Sequence, residues 1–349
     1  MKSPDGRLAL VLTAGERLSF TVARDGETLV APSEMALTLS TGEVLGESPR
    51  VRSARRRAVT ETIDAPLYRQ SRFDAAYNEL DLRLRGDYGI LARAYDDGVC
   101  YRFYTERDGE LTIVDETAQL NFEGDPSAYI PYSKTEIPMR TSFENTYEYA
   151  PLSKFRTQTV AFMPVLVDLG ERGYVLYTES DVEAYPGVYL TYDKEAKGFA
   201  ARFAECPTET SLTKRFQDVV ERSADYIARV DGRRSYPWRI VAYAATATEL
   251  PVNDMVWQTA EASRVADASW VRDGKIAWDW WNNWGVYGVD FKSGINTETY
   301  KYFIDFAAAN GIEISFTSPG WLPEETLRTL GFTQIPSCGA CLSNMAVAP

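Results

Sequence analysis

At 349 residues the chain is long enough for two domains of roughly 150 residues each. Lys and Arg total 37 against 50 Asp and Glu, giving a net charge of -13 and a pI near 4.7, so neither nucleic acid nor an anionic membrane is an expected partner. Histidine is absent, which excludes Ser-His-Asp and Cys-His nucleophiles and His-ligated zinc and leaves any catalysis to carboxylates, Tyr, Lys or Cys.

The chain starts Met1-Lys2-Ser3-Pro4-Asp5-Gly6, with no signal peptide and no run of 18 apolar residues anywhere, so no membrane span is expected and the chain reads as cytosolic or already trimmed. From Arg7 to about Thr246, short apolar or aromatic runs alternate with Asp-Gly, Gly-Glu, Asn-Glu and Pro-containing breaks, the rhythm of antiparallel strands and hairpins. Strands are predicted at residues 8–12, 18–22, 80–84, 99–104 and 174–177; Leu18-Ser19-Phe20-Thr21-Val22 and Leu80-Asp81-Leu82-Arg83-Leu84 show clean period-two alternation. So long a run of this pattern implies a large sandwich of two antiparallel sheets.

The pattern changes after Arg239-Ile240-Val241-Ala242-Tyr243. Residues 276–281 read as a short strand, Thr297 as the cap of a helix with Tyr300, Phe303, Ile304 and Ala307 on one face, Gly311 as its stop, and residues 312–316 as another strand. Strand, helix, strand is a βαβ unit with parallel neighbours. The expected layout is a sandwich at 1–250, the start of a (β/α)8 barrel at 251–317 and an atypical tail at 318–349 with little helical or strand periodicity. The barrel is expected to be incomplete, since a whole one needs about 250 residues.

The densest motif is Trp278-Asp279-Trp280-Trp281-Asn282-Asn283-Trp284-Gly285. At the end of a first barrel strand, such residues offer flat faces for sugar rings and hydrogen bonds for hydroxyls, and the plainer alternative is that the tryptophans seal a contact between domains. The 141–152 stretch carries Glu144, Asn145 and Glu148, hard oxygens suited to Ca²⁺ or substrate, though most loop carboxylates are merely solvated. Glu179-Ser180-Asp181-Val182-Glu183 lacks an EF-hand's glycine-centred spacing and reads as a solvated turn. Cys338-Gly339-Ala340-Cys341 lacks a second ligand pair, and Cys100 and Cys206 read as buried or half-buried thiols.

Several stretches together resemble glycoside hydrolase family 97, the exo-acting α-glucosidases and α-galactosidases of gut bacteria: residues 3–6, 93–103, 143–152, 183–187, Ser235-Tyr236-Pro237-Trp238-Arg239, Trp278-Asp279-Trp280-Trp281-Asn282, and Gly294-Ile295-Asn296-Thr297 with the helix that follows. Their order and spacing hold from residue 3 to about 313. The resemblance implies a galactose-mutarotase-like supersandwich followed by a (β/α)8 barrel, Ca²⁺ dependence with Glu144 as the matching ligand, a sugar-contact role for Asp279, Trp280, Trp281 and Asn282, an oligosaccharide substrate, and a periplasmic or secreted setting. A pair of carboxylates would do the chemistry, one protonating the leaving oxygen and one attacking or activating water.

The resemblance puts those carboxylates on later barrel strands, so no catalytic residue is assigned and this form is expected to be inactive. Where the family has Asp-Glu-Gly-Trp after the second strand, this sequence has Ser318-Pro319-Gly320-Trp321, as though the reading frame were lost near residue 313; Glu324 and Glu325 fall in that stretch. Open sheet edges and an apolar helix face in a partial barrel also predict self-association. The alternative is a non-catalytic carbohydrate-binding module or inactive remnant.

Overall fold

A computed structural model describes residues 1–65, 68–134, 145–212, 218–267, 269–271, 274–279 and 283–312, with the backbone of 314–317 and 344–347. The chain divides into two compact units, Met1–Ser211 with Val220–Ala262, and Leu212–Val219 with the chain from Ser263 onward.

The first unit is antiparallel β-structure. Its strands begin β1 (Leu8–Ala14), β2 (Leu18–Arg24), β3 (Glu27–Leu39), β4 (Val44–Leu45), β5 (Val51–Asp64), β6 (Arg72–Leu84), β7 (Tyr88–Tyr95), β8 (Gly98–Ala118) and β9 (Leu120–Asn121). They continue with β10 (Ser127–Ile130), β11 (Glu148–Pro151), β12 (Ala161–Phe162), β13 (Val165–Asp168), β14 (Tyr174–Ser180), β15 (Val188–Asp193) and β16 (Gly198–Phe203). A separate hairpin of β17 (Pro207–Leu212) and β18 (Asp218–Ser223) precedes β19 (Ala228–Ser235) and β20 (Trp238–Ala244).

Pairing runs β11-β10-β13-β14-β20-β8-β7-β6-β5 in one layer and β1-β2-β3-β9-β16-β15-β12 in the other. The 21-residue β8 joins them: residues 98–101 pair with β20, 104–113 with β19 and 113–118 with β3. Period-two patterning explains the layers. In β2, Leu18, Phe20 and Val22 are buried while Ser19 and Thr21 are half-buried, and β1, β3, β6 to β8 and β13 to β16 send their inner residues into one shared core. Asp25 and Gly26, both at positive φ (50° and 90°), make the tight turn between β2 and β3. Gly98 is required by packing, because a Cβ there would stand 2.2 Å from the Met255 sulfur and 2.8 Å from Ala242 Cα. That packing belongs to the short helix α1 (Met255–Thr259), which carries the first unit on past residue 250 to Ala262.

One cluster in this core is ionic. Arg239 on β20 is 1% exposed, donates two 2.8 Å bonds to Glu116 on β8, and pairs also with Glu179 on β14. Burial by itself would lower the guanidinium's pKa; the two carboxylates outweigh it and hold the group well above its ordinary value. Within the acidic run 179–183, Glu179 and Asp181 are therefore not simply solvated, while Val182 and Glu183 are exposed. Glu179 faces inward, and Asp181 accepts from the Glu261 amide at 3.0 Å and pairs with Arg102. Sequence shows the acids, but only strand pairing shows that Glu179 stands directly opposite Arg239.

In the second unit β21 (Ile276–Trp278) runs parallel to β22 (Ile314–Thr317), with α2 (Thr297–Ala309) between them in sequence. This is the expected βαβ, with β21 ending at Trp278 rather than 281. Asn296, not Thr297, is the N-cap: its side chain accepts from the Thr299 amide at 2.9 Å. Tyr300 and Ala307 are buried and Phe303 and Ile304 half-buried, the face that the spacing picks out, and Gly311 follows the helix at φ +63°. The tail does contain a strand, β23 (Asn344–Val347), antiparallel to β22; the unpaired edge of β22 supplies a backbone template that side-chain periodicity does not reveal.

Two expected outcomes follow from the buried charges. Replacing Arg239 with Met leaves Glu116 and Glu179 as buried unpaired carboxylates and should cost about 3–5 kcal/mol in urea unfolding. Asp97, in the turn between β7 and β8, accepts from the Asn253 amide, and burial, with Asp254 and Asp96 adding to it, pushes its carboxyl up to about 6. The folded state then keeps a proton that the unfolded chain releases above about pH 4, so this group's contribution to stability falls as pH rises through that window. Asp97→Asn should flatten that fall and raise stability at pH 7 by about 1–2 kcal/mol, read from unfolding curves at pH 4, 5, 6 and 7.

Candidate functional site

Asp279 follows β21 directly and is buried, at 1% exposure. Asn283 and Trp284 lie at positive φ, and the Trp284 amide donates to the Asp279 carbonyl at 3.0 Å. The Tyr300 hydroxyl of α2 lies beside the Asp279 carboxylate: burial first, and then that carboxylate, push the hydroxyl's pKa well above its ordinary value, with Trp284 opposing. A buried carboxyl group is thus placed at the C-terminal end of a parallel strand, beside a helix that the same strand leads into. Trp280, Trp281 and Asn282, expected beside it as sugar contacts, lie outside the described residues, as do Glu313, Glu324, Glu325, Cys338 and Cys341. Trp278 is 40% exposed, and Trp270 and Tyr287 more so.

Glu144, the expected calcium ligand, also lies outside the described residues. Its neighbours are engaged locally. Asn145 donates to the Tyr132 carbonyl at 2.7 Å and accepts from the Thr146 amide, while Glu148 pairs with Arg156 at 2.6 Å. Among the described residues no three acidic or cysteine side chains form a group able to hold a metal.

Just past that loop the structure gathers three exposed tyrosines. Tyr149 on β11 stands opposite Tyr129 on β10, their ring centroids 4.6 Å apart, and the Tyr149 hydroxyl donates to Asp168 at 2.9 Å. Tyr147, two residues earlier, donates to the Pro164 carbonyl at 3.2 Å. Each ring is roughly half exposed; Tyr147 and Tyr149 are fixed at their polar ends and Tyr129 is packed on Tyr149, which is the form of a rigid stacking surface. Sequence reading singles out this stretch for its acids; the tyrosines' role depends on the β10 to β11 register.

The other motifs converge inside the first unit rather than at a cleft. The guanidinium groups of Arg93 and Arg102 lie 4.9 and 4.5 Å from the Trp238 ring, Arg239 is next in sequence, and Tyr185 meets Tyr236 at 5.5 Å. Cys100 is buried there, its thiol pushed up to about 12 by burial, and Cys206 is half-buried. These residues hold the sandwich together.

Curled antiparallel sheets in a sandwich, followed by a βαβ unit with a buried carboxylate at the end of its first strand, define the sandwich-plus-barrel class of sugar enzymes in outline. Residues 1–261 match the family described as Glycosyl-hydrolase 97 N-terminal, and residues 280–334 match Glycoside hydrolase 97. The chain belongs to glycoside hydrolase family 97. It is 39% identical over 92% of its length to a Bacteroides thetaiotaomicron protein named retaining alpha-galactosidase, covering 50% of that protein. It is 28% identical over 91% of its length to a Streptomyces bingchenggensis protein named probable retaining alpha-galactosidase, covering 45% of it. The chain therefore spans about half the length of these curated relatives. In fold it is similar to a family 97 enzyme from Pseudoalteromonas sp. strain K8 in complex with acarbose (TM-score 0.72, 19% identity, 89% of this chain and 46% of that one). It is likewise similar to a beta-arabinopyranosidase (TM-score 0.73, 20% identity, 94% and 52%).

Proposed function

We propose that this chain is the sandwich and opening barrel segment of an exo-acting α-glycosidase whose substrate is a terminal α-galactoside of an oligosaccharide. The observation that carries the reading is the 39% identity, over 92% of the chain, to a protein named retaining alpha-galactosidase. The βαβ unit, and Asp279 buried against Tyr300 at the C-terminal end of β21, support a barrel in which such ends face substrate. Asp279, with Trp280, Trp281 and Asn282 after it, is proposed to shape the sugar subsite. Glu144 is proposed as the calcium ligand that this part of the protein supplies, on the family resemblance alone. The acid and nucleophile are proposed to lie in the part of the relatives that this chain does not span. The same resemblance supports a periplasmic or secreted setting, and the edges of β21 and β23, without a further strand partner among the described residues, support self-association through the barrel segment.

The test is hydrolysis of p-nitrophenyl α-galactoside and α-glucoside by this chain and by the Bacteroides relative, with Ca²⁺ and with a chelator. The expected result is chelator-sensitive turnover of the galactoside by the relative and none by this chain. Turnover by this chain, lost on chelation, would mean that its own carboxylates complete a site, with Glu144, Asp279, Glu313, Glu324 and Glu325 the first to replace.

A second reading, in which the sandwich binds glycan without catalysis, is favoured by the exposed Tyr129 and Tyr149 pair. Tyr149→Ala should then weaken oligosaccharide binding by about tenfold in calorimetric titration while leaving the unfolding temperature unchanged. Equal binding by the variant would refute this reading.

A further inference from the structure

β5 is the outermost strand of its layer: among the described residues it pairs only with β6, so along its other edge the backbone N–H and C=O groups have no strand partner. Every residue of this 14-residue strand is exposed except Ser53, Val59 and Ile63, which are half-buried. Exposed edges of this length are templates for another strand, and arginines on an edge ordinarily guard against that.

The charges of β5 do something more specific. Arg52, Arg55, Arg56 and Arg57 fill its first half, and Glu61 and Asp64 its second. If two copies of β5 lie antiparallel about a two-fold axis at Ala58, Arg52 stands opposite Asp64 and Arg55 opposite Glu61, on each side of the axis. Arg56 meets Thr60 and Arg57 meets Val59, and no charge faces its like. Centring the pair on Arg57 sets Arg57 against itself. Centring it on Arg56 sets Arg56 against itself and Arg55 against Arg57. Because directly opposite residues share a face and bring their Cβ atoms within about 5 Å, these matches decide the register.

Arg52 and Arg55 have no ion partner among the described residues of their own chain. Glu61 accepts one bond from Tyr77 at 2.9 Å and Asp64 one from Arg72 at 2.8 Å, which leaves each carboxylate further acceptor positions. An arginine-rich edge built for protection alone has no need of acids at the matching distance.

We propose that two copies of this chain associate edge to edge through β5, antiparallel and centred on Ala58, so that the β5 layer continues across a two-fold axis. Backbone hydrogen bonds supply the attraction and the four Arg to carboxylate pairs fix the register. The surface is separate from the β21 and β23 edges, and the proposal does not depend on the catalytic reading.

Sedimentation velocity on the full chain and on Arg55→Glu, Glu61→Arg and the double exchange R55E/E61R tests it, with circular dichroism and thermal unfolding as controls for folding. The wild type should be dimeric at low ionic strength and dissociate progressively as salt is raised. Arg55→Glu sets Glu against Glu61 twice per dimer, Glu61→Arg sets Arg against Arg55 twice, and each should weaken association by at least about tenfold, with the double exchange recovering most of it. Arg55, opposite Asp81 on β6, makes no ion pair with any described residue of its own chain, so Arg55→Glu, with its folding checked by the same controls, stays informative even if Glu61→Arg, which loses the Tyr77 bond, folds poorly. A monomeric wild type, association that Arg55→Glu leaves unchanged, or a dimer that forms only when an acidic peptide is added would overturn the proposal.

Discussion

A guanidinium buried between two carboxylates sets much of the first unit's architecture. Arg239 cannot be accommodated in an apolar core unless Glu116 and Glu179 come to it, and these lie on three different strands, β20, β8 and β14. The 21-residue β8 can satisfy that demand only by passing from the neighbourhood of β20, past β19, to β3 in the other layer. The ion cluster and the continuity of β8 therefore express one constraint, and both fix how the layers are connected. Arg93 and Arg102 over Trp238 extend the same idea outward, with planar cations packed on an aromatic face where hydrocarbon would otherwise sit.

Two polar features remain once the scaffold is accounted for, one in each unit. Asp279 is buried at a strand end with Tyr300 beside it, an arrangement that costs desolvation and that packing alone would not select. Tyr129, Tyr147 and Tyr149 show the opposite condition, large rings left in water, with the hydroxyls of Tyr147 and Tyr149 tied down and Tyr129 packed on Tyr149. Both conditions depart from what folding alone favours, and this is why they, rather than the more heavily connected Arg239 cluster, are the features on which the proposed binding roles rest.

β5 illustrates how one segment can satisfy local rules and still carry further information. Its composition is that of an edge strand protected by charge, with neither the alternation of β2 nor the apolar run of β20. The order of those charges, basic then acidic about Ala58, is visible in sequence but has no meaning until the strand is known to lie at an edge.

The sequence by itself determined the period-two strands, such as Leu18–Arg24, and the buried face of the 297–309 helix, because alternation and 3.6-residue spacing are local properties. It also carried the family, since turn residues and motif order survive in linear form from residue 3 to about 313. The absence of histidine limited the chemistry to other groups before any contact was known. Tertiary structure decided what depends on pairing between distant residues: that Glu179 is an inward ion partner and not a solvated acid, that Asn296 rather than Thr297 caps the helix, and that Tyr149 lies against Tyr129. These follow from backbone register and burial, which fix the distances between side chains, and no linear pattern encodes those distances directly.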